Sequence, residues 1–304
     1  VVRGQLMLET LDSLNRHAMD ALSVLGEWHS NTVTKADLKT RFESADPFPF
    51  IVIPNFLTEE AFEAASTAFP APSLNHETDK AAGWHVYDNP IEGKFALDDM
   101  SKFPENVRKV YCALFHEDFV KIMEEVTGTQ GLELDPYHHG AGLHCHPHGG
   151  KLDKHLDYSI HPKSGKERRL NLILFLHPWE WREEWRGCLK LWDTRENNKA
   201  AASLLPQPNT AVLFRTSDES WHGLPDLLLC PADKQRRSMA IYYASEPRKH
   251  ATHRLKAEFV ASGTDEERFR EGTDEMRKIR VHRRLTKEDV QRFTPEWHSP
   301  MMKQ

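Results

Sequence analysis

Between residues 131 and 245 the chain is written in short runs: "KLDKHLDYSI", "RLNLILFLH", "GCLKLWD", "TAVLFRT" and "RSMAIYYAS". Each is rich in leucine, β-branched or aromatic residues, and Gly, Pro, Asp and Asn separate them. Runs of this kind read as strands, and the breakers between them mark turns. Several short strands in succession predict a sandwich or barrel.

Helical signals flank this core. Leu6, Leu8, Leu11, Leu14, Met19, Leu22, Val24 and Leu25 recur at helical spacing and predict a helix over 5–28. "DPFPFIVIPNFL" (46–57) predicts a short buried strand, and Thr58 then caps a helix through "TEEAFEAASTAF". Residues 70–103 read as irregular. Residues 104–128 open on Pro104, close on Gly128 and predict two helices broken near His116. After 246 the chain is charged and helix-prone, without a clear strand. The expectation is an α+β protein with a mainly β core and helices on both sides. It forms one domain over 1–304: helical support with a lead-in strand (1–130), β core (131–245) and a charged helical extension (246–304).

Composition narrows the function classes. The 304 residues are 39% hydrophobic and 28% charged, with a formal charge of −6. That balance predicts a soluble globular protein and gives no sign of nucleic-acid binding. No run approaches a membrane span, and the N-terminus does not read as a signal peptide. Cys112, Cys145, Cys188 and Cys230 form no CxxC pair, so neither a zinc ribbon nor a disulfide framework is expected, and a cytoplasmic location is. Histidine stands out at eighteen residues, several of them between His138 and His161. It is the commonest metal ligand.

His155 and Asp157 sit two apart in "KHLD", so a strand projects both to one face. Alone, the pair is weak evidence and reads more readily as a wet strand face than as half a metal site. His222, in "SDESWHGLPD" after the apolar "TAVLF", offers a third ligand. Two histidines and one carboxylate leave adjacent positions open, as in the facial triad of non-haem Fe(II) sites. In "RRSMAIYYAS", Arg236, Ser238, Ala240 and Tyr242 share one face, and Arg237, Met239, Ile241 and Tyr243 the other. The second face is the apolar one, expected against helices. The first suits a wall that grips a carboxylate through the guanidinium and a hydroxyl.

In this order, "GLHCHPHGGKLDKHLD", "RRLNLILFLHPWEWREEW", "RGCLKLWD", "LFRTSDESWHGLPD" and "RRSMAIYY" resemble the Fe(II)/2-oxoglutarate-dependent oxygenases, more closely their prolyl-4-hydroxylase-like branch. The likeness spans about 130–245, with 47–70 as a lead-in. It implies a distorted double-stranded β-helix (jelly roll), with Fe(II) on His155, Asp157 and His222. It places 2-oxoglutarate on Arg236 and Ser238, with Leu189 and Phe175 beside it. Phe175 stands where the family has tyrosine, His177 where it has asparagine, and Arg186 where it has the first of two glycines. The implied reaction uses O2 to decarboxylate 2-oxoglutarate to succinate and CO2, coupled to C–H oxidation. Ascorbate would serve as reductant. Asp157 argues against halogenation, whose enzymes leave that position open. The expected outcome is hydroxylation of a proline-like, amino-acid-derived or other small substrate, or of a prolyl peptide. Cyclisation or desaturation would use the same residues. A non-catalytic cupin-like metal-binding domain and a zinc hydrolase are the competing readings.

The remaining features are weighed locally. His144, His146 and His148 share a face if extended and read as a wall of the site mouth, with His144 and His146 as substrate contacts beside Tyr158 and Arg186. Cys145 reads as a packed thiol. Residues 84–99 read as either a lid or a packed loop. Trp179, Trp181 and Trp185 read as loop packing, and the C-terminal extension as a solvated helix pair.

Overall fold

The computed structural model describes residues 22–264 and 266–301. Its strands are β1 (Phe50–Ile53), β2 (His85–Asn89), β3 (Glu92–Leu97), β4 (Glu133–Leu134), β5 (Gly142–His146), β6 (Lys151–Leu156), β7 (Glu167–Phe175), β8 (Leu189–Trp192), β9 (Ala202–Leu204), β10 (Ala211–Arg215), β11 (Trp221–Leu224), β12 (Arg236–Ser245) and β13 (Glu258–Phe259). The α-helices are α1 (Thr32–Glu43), α2 (Glu59–Thr67), α3 (His76–Ala81), α4 (Glu105–Leu114), α5 (Glu117–Thr127), α6 (Arg270–Arg280) and α7 (Lys287–Phe293). The strands join in one antiparallel sheet of order β1-β10-β7-β12-β5-β3-β6-β11-β8-β9, with β2 beside β3, β4 beside β12 and β13 beside β6.

The sheet curls on itself. β7 and β8 lie far apart in that order, yet Phe175, Leu189, Leu191, Val212 and Phe214 pack as one cluster. The Phe214 ring on β10 lies 4.7 Å from His222 on β11. This is the expected mainly β, double-stranded β-helix with helices around it.

The convex face explains the alternation of β7 and β12. Leu170, Leu172 and Leu174 of β7 join Met239, Ile241 and Tyr243 of β12 against Val107, Val110, Phe119 and Met123 of α4 and α5. The Tyr243 hydroxyl donates to the Leu114 carbonyl at 2.7 Å, so the one polar atom in that row is satisfied. Thr58 caps α2 by accepting from Ala61 N–H. His116 caps α5, which ends on Gly128 in the left-handed region (φ 66°). The break and the stop expected in 104–128 therefore fall where capping chemistry puts them.

Three expectations need correction. The helix expected over 5–28 lies outside the described residues up to 21, and 22–28 are not α-helical. There Leu25 bridges Leu57, and Gly26 N–H and the Trp28 indole N–H both donate to the Phe56 carbonyl. That pairing ties the segment to the lead-in strand and leaves no continuous helix. Second, 70–103 is not irregular: it holds α3 and the β2–β3 hairpin. Asn89 makes the turn by accepting from the N–H groups of Ile91 and Glu92. β3 pairs with both β5 and β6 and is buried on both faces, so its sequence shows no alternation. Third, the C-terminal extension is not merely solvated. Phe259 and Met276 are buried together with Ile91, and Arg277 reaches Asp153 of β6 at 2.6 Å. Asp153 also takes Lys151 Nζ at 2.7 Å. Two-residue β13 is too short to show as a pattern.

Leu172 is fully buried between sheet and helices. Leu172→Ala should lower unfolding free energy by about 2–5 kcal/mol. Denaturant titration checks this, with the urea midpoint falling at unchanged slope.

Candidate active site

Antiparallel pairing of β11 with β6 sets His222 directly opposite His155. Both rings are buried, with centroids 4.3 Å apart. His155 Nδ1 lies 2.8 Å from the Asp153 carbonyl, and His222 Nδ1 lies 2.9 Å from the Ser220 carbonyl. A carbonyl only accepts, so each Nδ1 carries the proton and each Nε2 keeps its lone pair. Both Nε2 atoms face Asp157, at 3.8 Å from Oδ1 for His155 and 3.7 Å from Oδ2 for His222. One ligand atom from each of the three residues lies within 4.8 Å of the others. The Phe259 ring stacks 5.0 Å from His155, fixing its plane.

Burial alone would raise the Asp157 carboxyl, but Arg168, His222 and His155 hold it well below the usual carboxylate range. Arg168 Nη1 lies 2.9 Å from Oδ2, and Asn171 Nδ2 donates to the same oxygen at 3.1 Å. The guanidinium is itself clamped between the rings of Tyr158 and Tyr242, 3.6 and 3.4 Å from their centroids. Two donors on Oδ2 leave Oδ1 the freer oxygen. Strict alternation would put Arg169, not Arg168, on the face of Asn171. The β7–β12 register shifts between Tyr243 and Ala244, and that irregularity aims Arg168 inward. Arg168 and Asn171 were missed in the sequence for this reason: only Asn171 carries a signal there, as a polar residue inside "LNLIL".

The three residues open into a cavity of about 210 Å³. Arg236, Ser238, Ala240 and Tyr242 line it from β12, as their alternation requires. Arg236 is buried, donates from Nε to the Gly187 carbonyl at 3.0 Å and lies over the Phe175 ring. Burial lowers its pKa to about 10, and no carboxylate among the described residues pairs with it. His144 and His146, opposite Ser238 and Arg236 on β5, also line the cavity. Neither ring nitrogen of buried His146 has a partner. Leu189 and Tyr158 line the cavity too, and Phe175 supports it from behind Arg236.

Other residues lie elsewhere. His148 leaves the shared histidine face and bonds the Cys230 carbonyl at 2.8 Å. Arg186, expected on the substrate side, adopts φ 57° at its glycine-like position and lines a separate cavity with Asp88 and Trp297. The loop turns its side chain away from the site. Cys145 is packed against Gln235. Trp181 packs in the loop, donating to the Arg186 carbonyl at 2.7 Å. Residues 85–98 are neither lid nor plain loop, since β2 and β3 contribute His85, Tyr87, Glu92, Lys94 and Ala96 to the cavity wall.

Residues 141–244 match the family model described as the 2OG-Fe(II) oxygenase superfamily. That stretch of the chain carries the superfamily's sequence pattern. Fe(II), 2-oxoglutarate and O2 are the cofactor and co-substrates of such an oxygenase. No curated protein matches the sequence. Among solved structures, the fold is similar to a prolyl hydroxylase from Trichoplax adhaerens in complex with a hypoxia inducible factor peptide fragment (16% identity, TM-score 0.48, covering 74% of this chain and 96% of that one). It is also similar to a Pseudomonas putida prolyl-4-hydroxylase (17%, 0.44, 69% and 99%) and to a Phytophthora capsici prolyl 4-hydroxylase (14%, 0.47, 87% and 76%). Among the described residues no helix is long and apolar enough to cross a membrane.

The residues around the cavity fit the groups that this superfamily uses. Two imidazole nitrogens with free lone pairs and one ionised carboxylate are a donor set for a borderline divalent ion. A buried guanidinium without a carboxylate partner, beside an orphaned imidazole, is a receptor for an acid.

Glu92 sits at this cavity's wall between Lys94 Nζ (3.2 Å) and Arg280 Nε (3.1 Å). Burial opposes its ionisation, yet these two cations bring its pKa from 4.5 down to about 2. A folded pKa below the unfolded one stabilises the fold above pH 4.5, and the effect is lost as pH falls from there towards 2. Glu92→Gln should therefore be less stable than wild type at pH 7 and lose less stability between pH 5 and pH 3, as about seen by urea titration at each pH.

Proposed function

We propose that this oxygenase hydroxylates an amino-acid-derived or prolyl substrate, with His155, Asp157 and His222 holding Fe(II) and Arg236 receiving the distal carboxylate of 2-oxoglutarate. One observation carries the assignment of residues: a His/Asp/His cluster and a buried, carboxylate-free arginine open into the same cavity. The bound Fe(II) and 2-oxoglutarate would supply O2 activation, which side chains alone do not provide.

The chain's own residues place and protect. The Asp153 and Ser220 carbonyls orient the two imidazoles, and Arg168 with Asn171 fixes Asp157. Arg236 offers its remaining N–H groups to the distal carboxylate, assisted by the Ser238 hydroxyl. With Phe175 in place of a tyrosine, no phenol adds to that grip, and His146 beside Arg236 is the polar group at hand. Leu189, on the cavity wall, would pack on the co-substrate's apolar stem and exclude water. His144, His146 and Tyr158 face the substrate side. The prolyl or amino-acid preference rests only on the prolyl-4-hydroxylase-like branch that the sequence resembles. The flanks belong with the core as a single unit over 1–304, because among the described residues both pack on the sheet.

Under anaerobic conditions Fe(II) plus 2-oxoglutarate should give a weak visible charge-transfer band, absent in His155→Ala and His222→Ala. Under O2, succinate should form. Arg236→Ala should raise the 2-oxoglutarate concentration needed for half-maximal signal by about tenfold or more. Metal binding without succinate release would instead mark a cupin-like binding domain. Unchanged 2-oxoglutarate affinity in Arg236→Ala would overturn the assignment of Arg236.

A further inference from the structure

The cavity holds more positive charge than the metal site and 2-oxoglutarate account for. Glu92 is the single carboxylate between Lys94 and Arg280, whose side chains are only 13% and 12% exposed. One anion between two largely buried cations leaves a charge uncompensated, which is costly unless something negative arrives. Arg284 and Lys256 line the same cavity and make no ion pair among the described residues. The Arg284 guanidinium lies 5.1 Å from the Tyr87 ring centroid, and Lys94 Nζ lies 5.2 Å from it, so one ring gathers both cations. Asp98, the other acid at this end, is bonded by His85 at 3.2 Å and also feels Arg284, so two carboxylates face Lys94, Arg280, Arg284 and Lys256.

The inner charges are already committed. Arg168 is held by Asp157, and Arg236 answers the distal carboxylate of 2-oxoglutarate. The surplus therefore lies on a different part of the wall, built from β3 and the segment after β13. It shares one cavity with the candidate metal residues His155, Asp157 and His222. Arg280 and Arg284 come from outside residues 141–244, the part that matches the family model. The matched stretch thus holds the candidate metal and co-substrate residues, whereas Lys94 precedes it and Arg280 and Arg284 follow it.

We infer that the substrate is an anion, and that Lys94, Arg280 and Arg284 bind a carboxylate on it while the carbon to be oxidised faces His155, Asp157 and His222. This deepens the oxygenase reading above and rests on it. The geometry suits a carboxylate because two N–H-bearing cations bracket Glu92 from a rigid strand and a helix end, with donors left over. A neutral or cationic molecule would leave the surplus charge unpaired and add repulsion.

The test uses the full chain with Fe(II) and saturating 2-oxoglutarate under argon, where substrate binding perturbs the charge-transfer band. Probes are matched pairs: proline against prolinamide, N-acetylproline against its amide, and prolyl tetrapeptides ending in Glu against the same sequences ending in Gln amide. The expected result is that carboxylate members perturb the band at concentrations lower by about tenfold or more, the scale of one charge-assisted hydrogen bond. Which pair responds separates a free acid from a peptide source. Arg284→Gln and Lys94→Gln should each shrink that preference several-fold and weaken its salt dependence, with folding checked by thermal melting. Equal or better binding of the amides overturns the inference, as does a panel in which no carboxylate member perturbs the band. If the band itself never forms, the oxygenase assignment of the residues has failed instead.

Discussion

The register between β6 and β11 is the constraint on which the site depends. Antiparallel pairing sets His222 against His155, and the two backbone carbonyls two residues upstream lock both rings in one tautomer. A slip of one residue would turn either histidine to the opposite face. The register is held from outside as well. Asp153 gives its carbonyl to His155, while its carboxylate takes Lys151 and Arg277, the latter from α6. The C-terminal helix is thereby tied to the strand that carries the candidate ligand.

Closure of the sheet supplies what register alone does not. Asp157 ends one part of the curled sheet and meets Arg168 and Asn171 from β7, well separated in strand order. The stacked Tyr158–Arg168–Tyr242 sandwich spans that junction. A cation with two aromatic faces and one carboxylate oxygen to satisfy has little freedom, so Asp157 is oriented before any ligand arrives. Preorganisation of this kind lowers the ordering cost of binding.

Much of this was legible along the chain, for physical reasons that differ by residue. The two faces of β12 could be read because one packs on helices and the other lines a cavity, so period two survives in "RRSMAIYY". His155, Asp157 and His222 could be paired because strand periodicity and turn signals surround them. β3 could not be read, since burial on both faces removes alternation and its neighbours β5 and β6 come some fifty residues later in the chain. Arg168 was hidden by a register irregularity that only the partner strand defines. The C-terminal arginines looked like solvent-facing helix charges, because Asp153 and Glu92, which they meet, lie far back in sequence.

The β2–β3 hairpin carries a kinetic consequence. Segments that guard a cleft commonly swing as loops, with few backbone bonds to break. Here β3 is paired along one edge with β5 and β6 and along the other with β2, so this side of the cavity is masonry, not a door. The facing side, residues 255–259 and 280–284, is held by a two-residue strand together with the Arg280–Glu92 ion pair and, through α6, Arg277–Asp153. Any opening on that side has to break charges that line the cavity wall, so access and electrostatics are coupled there.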